Sequence, residues 1–104
     1  MAVYLSNAFS LNMLDDQNPP GRVEIGVCRP EAVPAEAQSV IGHANTAELV
    51  SVRLGRPVPV NRATLLLHAG DVLYVAQFRG ERLKEGVTEL PPDARVAFYK
   101  IVLS

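Results

Sequence analysis

One stretch, Asn45–Leu54, carries a complete set of helix signals, and the rest of the chain must be arranged around it. Asn45 or Thr46 can cap free N–H groups, Glu48 stands in the first turn, and Arg53 in the last. Gly55 and Pro57 then end the helix. A helix of about three turns has an apolar stripe to bury, and its surroundings read as strands. Ala2–Leu5 is a short strand-like run ended by Ser6 and Asn7. Arg22–Arg29 sets Val23, Ile25 and Val27 on one face. Val60–Leu67 and Val72–Phe78 read as two strands joined by a hairpin turn at His68–Asp71, and Ala94–Leu103 as a last strand.

The remaining segments are shorter. Phe9–Leu14 predicts one or two helical turns with Asn7 or Ser10 as the cap, and Pro30–Ala37 a loop with a short helical piece. Asp15–Gly21 and Glu89–Asp93 are turns, marked by their prolines. The expected fold class is therefore α+β. It is a single small domain over residues 1–104, with a mixed, largely antiparallel sheet of about five strands, one main helix and short helical segments. A chain of this length buries roughly 65% of the surface that its unfolded form exposes, enough for one core. With no Trp and few aromatics, that core is aliphatic.

The single Cys28 excludes an intramolecular disulfide framework and a cysteine-rich zinc site, and it reads as a small hydrophobe within an apolar run. No apolar stretch approaches the roughly 20 residues of a membrane span, and Met1–Ser6 lacks the pattern of a signal peptide. A soluble, cytoplasmic protein is expected. No Walker loop, Gly-x-Ser-x-Gly elbow or metal-ligand spacing is present, so neither a metal nor a cofactor is expected.

The net charge of −1 argues against a general nucleic-acid coat, and no duplex nucleic acid is expected as a partner. The distribution is uneven. Residues 1–49 hold six carboxylates against two arginines, whereas residues 50–82 hold five arginines against two carboxylates. Eight of the ten basic residues are Arg, whose planar fork suits phosphate, so a local anion site competes with a solvated polar face.

His43 is the first candidate for chemistry. It precedes the helix, whose free N–H groups suit a phosphate, and Gly42 permits a bend there. An imidazole so placed can donate a proton to a leaving oxygen near neutral pH, or it can merely cap or pack. In Arg82-Leu-Lys-Glu-Gly86 the arginine could clamp a phosphate while Glu85 orients an imidazole, or the segment could be a solvated loop. Asn7, Ser10 and Asn12 could bond a base edge or a phosphate, or serve as caps.

These segments together resemble a known family. Tyr4–Leu14, Ser39–Thr46, Val60–Arg62, Leu73–Gln77 and Arg82–Gly86, in that order, are similar to the viral anti-CRISPR ring nucleases. That family includes a protein of an archaeal turreted icosahedral virus and cellular relatives that accompany type III CRISPR systems. The resemblance implies metal-independent cleavage of cyclic tetra-adenylate to linear di-adenylates ending in a 2′,3′-cyclic phosphate, which switches off type III CRISPR signalling. It implies that His43 is the general acid, that Arg82 holds phosphate and that Glu85 positions the histidine. Asn7, Ser10 and Arg62 match ligand-facing positions, and Asn12 and Gly42 lie in the same motifs. The segment Phe78–Arg82 is a residue longer than in some archaeal viral members, which bears on the aim of Arg82. A ligand with a two-fold axis implies a homodimer. Two other classes compete: a non-catalytic sponge or sensor for the cyclic nucleotide, and a small interaction protein with no nucleotide ligand.

Overall fold

The computed structural model describes residues 2–79 and 95–104. Among these residues the strands are β1 (Val3–Ser6), β2 (Val23–Cys28), β3 (Gln38–Ser39), β4 (Val72–Arg79) and β5 (Arg95–Leu103), and the one α-helix is α1 (Ala44–Leu54). They form one five-stranded sheet in the order β2-β5-β4-β1-β3. The α+β class, with one main helix on a mixed sheet, is as the sequence implies. Glu89–Asp93, read as a turn, lies outside the described residues, as do Arg82 and Glu85.

The central strand explains the layering. Leu73, Tyr74, Val75 and Ala76 are all buried, so β4 is covered on both faces and reads as a continuous apolar run. On one face Leu5, Tyr74, Ala76 and Phe98 pack with Ala47 and Val50 of α1. On the other, Leu73, Val75, Ile101 and Leu103 pack with Leu65 and Leu67. Each fully buried aliphatic side chain contributes about 1.5–3 kcal/mol relative to exposure.

Val60–Leu67 is the main departure from expectation, because it is not a strand of the sheet. One flank of β4 is taken by β5, antiparallel, and the other by β1, parallel. No flank remains for a hairpin partner. The alternating pattern still does its burial work, with Leu65 and Leu67 buried and Leu66 exposed, but as a cover over the second face. Leu67 is held there by an N–H bond to the Met13 carbonyl at 2.6 Å, and its own carbonyl accepts the Asp15 N–H at 3.2 Å. Of the four pairings in the sheet, two are consequently antiparallel and two parallel.

The N-cap lies two or three residues earlier than the capping signals suggest. His43 occupies the N-cap with extended backbone (φ −123°, ψ 124°) and no side-chain capping bond, in place of Asn45 or Thr46. Its carbonyl takes the Ala47 N–H at 3.0 Å, which draws Ala44 into the first turn and moves Glu48 out of it. The C-terminus behaves as expected. Gly55 is left-handed at φ 71°, and both it and Arg56 donate to the Ser51 carbonyl. Ser51 Oγ also accepts the Val58 N–H at 2.9 Å, tying the helix end to the next segment.

Phe9–Leu14 contains a 3-10 turn over Leu11–Met13, with Ser10 at its N-cap but without a side-chain bond, and Pro30–Ala32 forms a second. Cys28 is half-buried against the helix-side cluster, and burial pushes its thiol up, with Lys100 partly opposing. A thiol held protonated in this way is a poor nucleophile. Val23, Ile25 and Val27 do share a face, yet only Val23 is covered. Ile25 is 62% and Val27 84% exposed. Beside them runs a shallow groove of about 190 Å³ lined by Phe9, Ile25, Val75, Gln77, Tyr99 and Ile101.

Candidate active site

Three strands, β1, β3 and β4, run in the same direction, so their carboxyl ends share one edge of the sheet. In open sheets with parallel strands, ligands bind at such an edge, where successive connections diverge. Asn7 leaves β1 there, exposed, after a turn in which Ser6 Oγ donates to the Ala8 carbonyl at 2.6 Å. The Val40 N–H continues the β1–β3 pairing with a bond to the Leu5 carbonyl at 2.9 Å, and the chain then runs through Ile41 and Gly42 to His43. β4 ends at this edge with Arg79, whose register partner is Arg95 of β5. Arg82 and Glu85 lie outside the described residues.

His43 is exposed at the start of α1, and its imidazole is not spent on capping. Behind it stand the first N–H groups of an 11-residue helix, a favourable place for an anionic group. Arg62 lies alongside. Its Nε and Nη2 both reach the Gly42 carbonyl at 3.4 Å, long contacts that leave an exposed guanidinium free to bind elsewhere.

The role of Gly42 differs from the expected one. It has no left-handed backbone, so it is not needed for a bend. A Cβ there would sit 3.2 Å from Arg62 Cβ and Cγ and 3.3 Å from its Cα. Glycine eases the close approach of two chain segments at this point, where a side chain would need Arg62 to give by a few tenths of an ångström.

The candidates therefore divide. Gly42, His43 and Arg62 are brought together, and Asn7 shares their edge. Ser10 and Asn12 sit on the 3-10 turn over the other face of the sheet, and among the described residues no hydrogen bond joins them to His43 or Arg62. Three further polar residues at this edge went unremarked as site residues: Ser39, Asn61 and Arg79. Arg79 donates to the Tyr99 hydroxyl at 2.7 Å and lies 5.9 Å from that ring, a cation–π distance. Pro59 and Asn61, both poor strand formers, were the signal that this stretch serves the edge and not the sheet. Among the described residues, no cluster of three or more His, Cys, Asp or Glu could hold a metal, and no helix is long and apolar enough to cross a membrane.

Comparison with known proteins places the chain in a family. The chain belongs to the STIV B116-like family, whose sequence model matches residues 3–93. In structure it is similar to B116 of Sulfolobus turreted icosahedral virus, with a TM-score of 0.76 over 98% of this chain and 99% of that one, at 24% sequence identity. No curated protein matches the chain.

Proposed function

We propose that this protein is a metal-independent ring nuclease that cleaves cyclic tetra-adenylate across a homodimer and thereby switches off type III CRISPR signalling. The observation that carries the reading is the exposed imidazole of His43 at the start of α1, which makes no capping bond, with the Arg62 guanidinium on the carbonyl of the preceding Gly42. The family supports it, and so does the resemblance of the motifs that hold these residues.

The chemistry asks for no bound metal, because a ribonucleotide carries its own nucleophile. The 2′ oxygen attacks the adjacent phosphorus and the P–O5′ bond breaks. His43 gives its proton to the departing 5′ oxygen, and the 2′ hydroxyl proton passes to water. Two such cuts in opposite halves of the ring yield two linear di-adenylates, each with a 2′,3′-cyclic phosphate. In this reading Arg62 and Arg82 neutralise phosphate, Glu85 orients the imidazole, and Asn7 holds the nucleotide from the end of β1. A positioned general acid contributes about 10²–10⁴-fold, and in-line alignment several kcal/mol more.

The dimer follows from symmetry, since a ring with a two-fold axis and four negative charges matches two copies of a basic edge. The uncovered apolar strip of Ile25 and Val27 is consistent with contact between copies. A charge placed in such a contact is costly, so Val27→Asp is expected to raise the dimer dissociation constant by about tenfold or more. Sedimentation velocity over a concentration series reads this, and an unchanged dimer would place the contact elsewhere.

The reaction itself is tested by incubating the protein with cyclic tetra-adenylate in EDTA and identifying products by mass spectrometry. Linear di-adenylate with a cyclic phosphate end supports the nuclease. Intact ring with measurable binding would make the protein a sponge or sensor, and no binding at all would remove the nucleotide from its function.

A further inference from the structure

His43 is set by a latch between two segments that α1 separates in sequence. Ser39 is buried, and its hydroxyl donates to the Pro59 carbonyl at 2.7 Å while accepting the Ile41 N–H at 3.3 Å. Asn61 answers from the other side. Its Nδ2 donates to the Ser39 carbonyl at 2.9 Å, and its backbone N–H donates to the Ile41 carbonyl at 2.8 Å. Both backbone polar atoms of Ile41 are thus committed, and its side chain is fully buried in the cluster beneath α1. His43 hangs two residues beyond this fixed point, with Gly42 pressed against Arg62 between them.

Asn61 is itself exposed, so its side chain contributes little to the core. Its amide is spent on the strand exit that leads to the histidine, and its neighbour Arg62 is delivered to the same place. From this arrangement we infer that Ser39 and Asn61 are positioning residues, which fix the strand exit and so aim the imidazole of His43. The inference rests on the ring-nuclease reading for its consequence in turnover, and on the hydrogen bonds alone for its consequence in structure. A general acid works only within hydrogen-bond reach of the leaving oxygen, and a misplacement of about 1 Å can cost about 10²-fold.

Asn61→Ala removes the amide. Asn61→Asp keeps its shape but puts an acceptor against the Ser39 carbonyl. Both variants are compared with wild type by steady-state cleavage of cyclic tetra-adenylate, thermal unfolding, and ¹⁵N relaxation of the Gly42 and His43 amides. The expected result is a fall in kcat of roughly 10–100-fold with KM within about threefold, because aim is lost while the ligand contacts remain. The order parameters of the two amides should drop from about 0.85 towards 0.6 while those of β4 stay rigid. Unchanged kcat with unchanged order parameters would overturn the latch. So would a rise in KM at constant kcat, or loosening spread over the whole sheet. If wild-type protein leaves the ring intact, the nuclease reading fails by itself, and the latch then stands or falls on the relaxation of Gly42 and His43.

Discussion

Replacing His43 with alanine is expected to lower the turnover of cyclic tetra-adenylate by about 10²–10⁴-fold while leaving its affinity within a few-fold, the pattern of a lost general acid. The site makes this a clean substitution. The ring is exposed and makes no capping bond, so its removal opens no cavity and orphans no backbone donor. The His43 carbonyl, which accepts the Ala47 N–H, is retained by alanine, and the helix keeps its first turn. Stability should therefore stay within about 0.5 kcal/mol of wild type, as for ordinary surface changes. Affinity should persist because, in the proposed mode of binding, the helix N-terminus and Arg62 would still meet the phosphate. Single-turnover cleavage and calorimetric titration, run on the same preparation, separate the two quantities. Parallel loss of binding and rate would make His43 a phosphate ligand, and full activity in the variant would remove it from the chemistry.

Most of the fold was legible, for identifiable reasons. Gly55 and Pro57 fixed the helix end because a left-handed residue and a missing N–H act locally. The continuous apolar run of β4 and the alternation of β2 survived for the same reason, since side-chain period is a local property. What alternation does not report is which strand lies alongside. Val60–Leu67 alternates correctly and buries Leu65 and Leu67, but whether it joins the sheet depends on β1, some 60 residues earlier in the chain, having already taken the flank of β4. The site divides in the same way. His43 and Gly42 are adjacent in sequence and could be read together. Their meeting with Asn61 and Arg62 depends on hydrogen bonds across α1, and these are visible only in three dimensions.

The turn His68–Asp71 illustrates the point with the largest expected effect on stability. Its sequence implies a hairpin turn, and the segment is a turn, with Gly70 at φ 96° and the Asp71 N–H donating to the His68 carbonyl at 3.1 Å. Yet it leads from the covering segment into β4 and pins the first strand as well. The carboxylate of Asp71 is buried, with Oδ1 accepting the Ala2 N–H at 3.0 Å and Oδ2 the His68 N–H at 2.9 Å. Asp71→Ala would leave two backbone donors without their acceptor at a site that water reaches poorly. At about 1–3 kcal/mol for each, the loss should be roughly 2–6 kcal/mol, a large part of the total stability of a small domain. The corresponding fall in Tm is about 10–25 °C.

His68→Ala provides the control that assigns this loss. The imidazole is about half exposed, with Nε2 3.2 Å from Asp15 Oδ2 and Nδ1 3.7 Å from Asp71 Oδ2, so its deletion should cost no more than about 1 kcal/mol. The backbone N–H of residue 68 survives in that variant and still bonds Asp71. Denaturant unfolding of the two variants should therefore differ by several-fold in ΔΔG, with the larger loss following the carboxylate. Equal losses would show that the ring holds the turn, and a loss below about 1 kcal/mol for Asp71→Ala would mean that other acceptors serve Ala2 and His68.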